Sequence, residues 1–202
     1  MRLLIATANA HKIEEIRQIL SEFPVQLCDL RDFPPLTAPD ETGSTYAENA
    51  LLKARYYAHH TGLAALSDDS GLEVDALDGA PGLYSARFGG DDMAHSQKIL
   101  KVLSMLNEVP DRPRSARFRC CSTVVNPTTG QVWSHEATCE GHIASAPRGA
   151  QGFGYDPIFL VDEQRTMAEL ESDEKHQISH RGRSLRGLLS QLLPTAVNSP
   201  KS

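Results

Sequence analysis

Apolar residues along this chain follow two rhythms, and each predicts a different kind of element. Short unbroken runs at residues 2–6, 25–30 and 63–67 predict buried strands. Between the first two, Ile13, Ile16, Ile19 and Leu20 recur at helical spacing after a polar break at residues 7–10. Residues 32–43, with Pro34, Pro35 and Pro39, predict a loop. Thr45 and Glu48 have the spacing of a capping box, good helix formers fill residues 50–59, and Gly62 is a natural stop. Residues 78–90 predict irregular chain. Asp92 is placed to cap a helix carrying Ile99, Leu100, Leu103 and Leu106 on one face, with Pro110 beyond it. Residues 116–125 and 131–139, joined by Asn126-Pro127-Thr128-Thr129-Gly130, predict a long antiparallel hairpin. A glycine-rich loop over 146–156 leads to a strand at 157–161, and Thr166 and Glu169 repeat the capping-box spacing. Leu185, Leu188, Leu189, Leu192 and Leu193 mark a final helix ended by Pro194, and residues 195–202 are expected to form a disordered tail.

Strands alternate with helices at both ends and form a meander between them. That order predicts an α/β domain of three layers, a mixed sheet flanked by helices. No linker divides the chain, so residues 1–194 are expected to be one domain. At 202 residues, folding should bury roughly 70% of the unfolded surface, enough for a core without staples. No apolar run approaches the ~20 residues of a membrane span, and no basic-then-apolar leader opens the chain, so neither membrane nor export is expected. With 20 Lys and Arg against 26 Asp and Glu, the formal charge is −6. A sequence-blind nucleic-acid binder needs a basic surface, so that class is excluded, and any polyanion must be held locally by placed cations or a metal. The cysteines (Cys28, Cys120, Cys121, Cys139) form no C-x-x-C pair, which argues against zinc and fits reduced thiols in the cytoplasm. Cys120 and Cys121 should point to opposite faces of a strand.

Four stretches carry candidate chemistry. Thr7-x-Asn9-x-x-Lys12 lies where a strand meets a helix start, a place whose free N–H groups suit phosphate. The same residues also make a plain turn capped by Asn9 or Thr7. The P-loop pattern G-x-x-x-x-G-K-[ST] is absent. Asp68-Asp69-Ser70-Gly71 follows an apolar strand, where α/β sheets gather ligands. Two adjacent carboxylates call for a cation and suit Mg²⁺, although a solvated turn has the same composition. Asp40-Glu41 is a second acidic pair in a loop. Phe153-Gly154-Tyr155-Asp156-Pro157 offers aromatics that either stack on a flat base or anchor the loop. Lys175, His180 and Arg181 gather before the last helix; cations there oppose its dipole and point to an external anion or to a solvated basic face. Lys53 can reach the acidic loops or serve as a surface lysine. His59 and His60 read as surface residues, and Trp133 as packing.

Six segments occur in a fixed order: T-x-N-x-x-K at 7–12, E-T-G-x-T-x-x-E-N-A-x-x-K-A at 41–54, D-D-S-G-L at 68–72, G-A-P-G-x-Y-S-A-R at 79–87, F-G-Y-D-P-x-F at 153–159 and S-H-R-G at 179–182. Over residues 2–193 the chain closely resembles the inosine triphosphate pyrophosphatase family, whose members hydrolyse dITP, ITP and XTP. The resemblance implies a nucleoside-triphosphate pyrophosphohydrolase yielding a monophosphate and pyrophosphate. It also implies an elongated mixed sheet in two lobes with a central cleft, Mg²⁺ as cofactor, and a cytoplasmic homodimer that binds a purine nucleoside triphosphate and no nucleic acid or membrane. By position, Asp69 would be the general base and a metal ligand, with Glu41 and neighbouring Asp40 as its acidic partners. Thr7, Ala8, Asn9, Ala10, His11, Lys12 and Ser70 would hold phosphate, supported by Lys53. Phe153, Gly154, Tyr155, Asp156, Lys175, His180 and Arg181 would bind the base and the rest of the nucleotide. Ala8 stands where the family usually has Gly, and His11 where a small residue is frequent. A triphosphate brings about four negative charges, so this acidic chain must concentrate Mg²⁺ and its lysines at one spot. Reading a keto purine against adenine needs donors at the 6-oxo position. The competing readings are a pyrophosphatase for modified pyrimidine or methylated nucleotides and a nucleotide sensor without turnover.

Overall fold

The computed structural model describes residues 1–90 and 92–193. One sheet contains β1 (Arg2–Ile5), β2 (Gln26–Asp29), β3 (Ala64–Val74), β4 (Ser115–Val125), β5 (Val132–Ile143) and β6 (Phe159–Leu160), in the order β2-β1-β3-β4-β5-β6. β1 runs parallel to β2 and β3, and every other pairing is antiparallel. The helices are α1 (Ala10–Leu20), α2 (Tyr46–Thr61), α3 (His95–Asn107), α4 (Ser172–Ile178) and α5 (His180–Leu192).

Side-chain alternation along β1 builds the layers. Leu3 and Ile5 face α1 and α5, packing with Ile13, Ile16, Ile19, Leu66, Leu185, Leu188 and Leu189. Leu4 and Ala6 face the other way and pack with Ala54, Tyr57 and Ala58 of α2. The sheet is therefore sandwiched between helices. A third core lies at the far ends of β3, β4 and β5, where Leu72, Val74, Phe118, Cys139 and Phe159 meet α3 through Ile99, Val102, Leu103 and Leu106. These separate cores make two lobes that share long strands. Trp133 packs against the first lobe, and the four cysteines are buried and free.

Several boundaries differ from the sequence pattern. β3 does not stop at Ser67 but runs on to Val74, so Asp68-Asp69-Ser70-Gly71 is strand and not turn. Its ladder with β4 is unbroken from Ala65↔Val125 to Val74↔Ala116, and backbone pairing, not apolar alternation, holds these polar residues extended. β5 likewise continues to Ile143, whereas β6 is only two residues long. Asp92 does not cap α3; the helix starts at His95 after Ala94, with no side-chain cap. Leu100 is 59% exposed and Val102 takes its place in the core, because Leu100 lies about 100° round the helix from Ile99. Thr45 caps α2 by accepting from the Glu48 N–H at 3.1 Å, but the Glu48 carboxylate turns to Ser44 N and Oγ instead of closing the box. Thr166 and Glu169 do close theirs, around a single 3₁₀ turn, Met167–Glu169. Pro194 and the tail expected at 195–202 lie outside the described residues. No described helix is long and apolar enough to cross a membrane.

Candidate active site

A cleft of about 520 Å³ opens where the two lobes meet, and every residue named above as a site candidate lines it except Ala10, His11, Asp68 and Pro157. That volume suits a nucleotide-sized ligand.

At the start of α1 the capping reading is realised. Asn9 Oδ1 accepts from the N–H groups of His11 at 3.1 Å and Lys12 at 3.2 Å, and Thr7 Oγ accepts from Asn9 N. Two first-turn donors are thereby occupied by protein. What remains for an anion is the Ala10 N–H, which no described residue engages, and the Lys12 ammonium, which leans on Asp68 at 3.2 Å.

Asp68 and Asp69 are neighbours in sequence that work on opposite faces of the sheet, as strand geometry requires. Asp68 points to the α1 and α5 side, where Arg181 Nε and Nη2 donate to its Oδ2 at 3.1 and 3.0 Å. Burial opposes its charge, but Lys12 and Arg181 hold its pKa well below the usual carboxylate range. Asp69 points to the α2 side, where Asn49 Nδ2 donates to its Oδ2 at 3.1 Å and Lys53 Nζ lies 3.6 Å from its Oδ1. Here burial prevails over Lys53 and Lys12, and the pKa is raised. The two carboxyls therefore do not form a single adjacent acidic pair. One is a fixed counter-ion, and the other is a carboxylate with heightened proton affinity at the cleft wall.

Lys53 is not a surface lysine. Its ammonium sits between Glu41 Oε1, at 2.5 Å, and Asp69 Oδ1, so loop 33–43 is drawn onto α2. Burial works against its charge, yet Asp69, Asp68 and Glu41 more than offset that and raise its pKa. Asp40 lines the cleft beside Glu41 with its side chain exposed.

The aromatic loop divides its roles. Phe153 is half-buried on the cleft wall, and the His11 ring stacks on it at 5.2 Å and 11°. Tyr155 is buried and donates its hydroxyl to Ser85 O at 3.1 Å, so it anchors the loop. Asp156 Oδ2 accepts from Phe153 N at 2.8 Å and from Lys175 Nζ at 2.6 Å.

The cations near the last helix find internal anions, which corrects the expectation of an external one. Lys175, in the last turn of α4, binds Asp156 and Glu15 at 2.6 Å each. Arg181, in the first turn of α5, binds Asp68, Ser70 Oγ and Glu15. Ser179 caps α5 by accepting from Gly182 N, and a side chain at Gly182 would overlap the His176 carbonyl, so only glycine lets α4 and α5 meet this closely. His180 is buried, stacked on Phe118 at 4.7 Å. Burial and Arg181 push its pKa well below the usual value, leaving it a neutral imidazole at neutral pH.

Glu15 was absent from the sequence reading, although it joins both of these cations. Burial alone would raise its pKa, but Arg181 and Lys175 hold it at about 2. A signal existed: Glu15 stands one turn before Ile19, at the edge of the apolar stripe, whereas Glu14 lies away from it. Asn49, Arg87 and His95 were missed too. Asn49 and Arg87 lay inside the motifs at 41–54 and 79–87 without being assigned a role, and the Asn49 side-chain oxygen accepts from Gly43 N at 2.8 Å, fixing the loop before α2.

Residues 3–191 match the Ham1 family. The chain is 47% identical over 192 residues to a dITP/XTP pyrophosphatase of Geobacter sulfurreducens, covering 95% of this chain and 96% of that one. It is 46% identical over 187 residues to the dITP/XTP pyrophosphatase of Desulforamulus reducens, covering 92% of each. Among solved structures, a HAM1 protein from Coxiella burnetii superposes with a TM-score of 0.86 at 40% identity, covering 97% of this chain and all (100%) of that one.

Proposed function

This chain belongs to the Ham1 family, and from that premise we propose that it hydrolyses dITP, ITP and XTP to the nucleoside monophosphate and pyrophosphate, keeping non-standard purines out of DNA and RNA. The observation that carries the reading is the cleft itself. It brings a buried carboxylate of raised pKa, Asp69, together with Lys12, Lys53 and an aromatic wall, Phe153.

The charge balance supports Mg²⁺ as cofactor. Five cations (Lys12, Lys53, Arg87, Lys175, Arg181) meet six carboxylates in and behind the cleft (Glu15, Asp40, Glu41, Asp68, Asp69, Asp156). An excess of negative charge cannot receive a tetra-anion unaided. Among the described residues no three acids, histidines or cysteines form a ready-made metal cage. Mg²⁺ needs none, since it commonly takes one or two carboxylates with waters and substrate phosphates. Glu41 and Asp69, with Asp40 beside them, are the residues that would hold it, and Lys53 between them marks the pair as a seat for positive charge. When bound, the metal neutralises the phosphates and polarises the group under attack.

Asp69 accepts the proton of the attacking water, and its burial keeps that proton affinity high. Water adds at the phosphorus of the α–β linkage, the bridging bond breaks, and pyrophosphate departs. Lys12 and Lys53 balance the charge on the phosphoryl oxygens. At the base end, Lys175 and Arg181 each keep an N–H beyond those given to Glu15, Asp156, Asp68 and Ser70. Both side chains are donors only, so a 6-oxo group is welcome and the 6-amino group of adenine meets donor against donor. Four free, buried thiols fit action in the reducing cytoplasm. A homodimer is the state the family resemblance implies, to be checked by light scattering.

The test is pyrophosphate release from ITP, dITP and XTP against ATP, dUTP and dTTP, with and without Mg²⁺. Turnover of the first three with metal supports the proposal. A preference for dUTP or dTTP would move it to pyrimidine nucleotides, and binding without release would make it a sensor.

A further inference from the structure

We propose that Arg87 grips the outer phosphoryl group of the substrate, and so the pyrophosphate that leaves, an inference that rests on the triphosphate reading above. The cations lining the cleft are not equivalent. Lys12 is held by Asp68, Lys53 by Glu41, Lys175 by Asp156 and Glu15, and Arg181 by Asp68 and Glu15. Arg87 alone among them has no carboxylate at hydrogen-bond distance among the described residues. Its nearest, Glu41 Oε2, lies 3.9 Å from Nη1. Its guanidinium therefore brings to the cleft five N–H donors that no described residue engages.

The stem of Arg87 is fixed although its head has no hydrogen-bond partner among the described residues. The two carbonyls just before it are both pinned by side chains from elsewhere: Ser85 O by the Tyr155 hydroxyl and Ala86 O by the ammonium of Lys98. Ser85 Oγ in turn accepts from Leu72 N at 2.9 Å and donates to Gly82 O at 2.7 Å. Lys98 is only 3% exposed, and burying an ammonium is unfavourable unless it is well bonded. Its use on a backbone carbonyl shows how firmly the position before Arg87 is specified. The guanidinium rests over the Tyr84 ring at 5.1 Å, an arrangement that keeps its planar fork presented.

The contacts also indicate which phosphoryl it meets. From Asp69, Arg87 is reached through Lys53 and Glu41, on the α2 side of β3. The base wall is reached on the opposite side, through Asp68, Arg181 and Lys175, both cations lying over Phe153. A nucleotide whose base lies on Phe153 and whose α–β linkage lies at Asp69 carries its tail toward Arg87. A guanidinium fork suits a terminal phosphoryl, which it can grip bidentately.

The experiment compares wild type, Arg87→Ala and Arg87→Lys at saturating Mg²⁺. Calorimetric titration measures pyrophosphate and IMP binding, and KM and kcat are measured for ITP. Arg87→Ala should weaken pyrophosphate binding and raise KM by about 10- to 100-fold, the scale of a hydrogen bond to a charged group, while IMP binding stays within about twofold. Arg87→Lys, which keeps the charge but not the fork, should fall between. Unchanged pyrophosphate affinity in Arg87→Ala, or an equal loss for IMP, would overturn the assignment. The titrations need no turnover, so a wild type that binds pyrophosphate through Arg87 yet fails to hydrolyse ITP would sink the functional reading and leave this one standing.

Discussion

Replacing Glu15 by glutamine tests the electrostatic keystone of the base end. The side chain keeps its shape but loses the charge that Lys175 and Arg181 share at 2.6 Å each. In the folded protein the Glu15 pKa is about 2 against an ordinary 4.5, so the folded state favours its ionised form. That preference is fully present above the unfolded pKa and fades as pH falls through the folded one. At about 1.4 kcal/mol per unit, the difference corresponds to about 3 kcal/mol at pH 7. Between the two pKa values, at pH 3, the same linkage leaves about 1.4 kcal/mol. For a chain of this size, 3 kcal/mol lowers Tm by about 6–12 °C. The assay is urea unfolding of wild type and Glu15→Gln at pH 7, 5, 4 and 3. The stability gap should shrink by more than half across that series. A gap that stays constant with pH, or one below about 1 kcal/mol at pH 7, would show that Glu15 contributes by packing and not by charge.

Asp69→Asn should cut turnover by about 10²–10⁴-fold without lowering Tm, because an ionised carboxylate whose folded pKa is raised weakens the fold above its unfolded pKa; substantial residual activity would remove Asp69 from the base role. Lys12→Ala should raise KM and lower kcat for ITP, and unchanged kinetics would leave Lys12 only the partner of Asp68. Chelation of Mg²⁺ should abolish pyrophosphate release, with recovery on adding the metal back; activity that persists would exclude the metal. Gly71→Ala should cost about 1–3 kcal/mol, read by denaturant midpoint, since its methyl group would press on the Gly82 carbonyl, Tyr46 Oη and Ser85 Oγ.

What could be read from the sequence followed the residues whose partners are uniform. The stripe Ile13, Ile16, Ile19 and Leu20 meets one apolar neighbourhood, so period alone located α1. Residues 68–71 escaped because both faces of β3 carry polar partners there, Asp68 toward Arg181 and Asp69 toward Asn49. No alternation of apolar and polar positions marks such a strand. Lys175 and Arg181 were legible as site residues by motif, but their counter-ion comes from a helix some 160 residues earlier in the chain, and only folding makes that pair local. Leu100 shows the opposite error: it sits near the helical stripe in spacing but just outside the sector that the sheet covers.

The continuous β3–β4 ladder, with ten paired positions from Ala65 to Val74, has a consequence for how the molecule comes apart. Strands of 11 residues span about 37 Å, so each belongs to both lobes at once. Any movement between the lobes has to be taken up as twist or bend along these paired strands. Neither lobe can therefore be excised as an autonomous fragment, because a cut between them leaves each half with severed strands and open edges. Unfolding of the two cores should be a single cooperative event, with fluorescence of Trp133 in one lobe and hydrogen exchange at Phe118 in the other reporting the same transition.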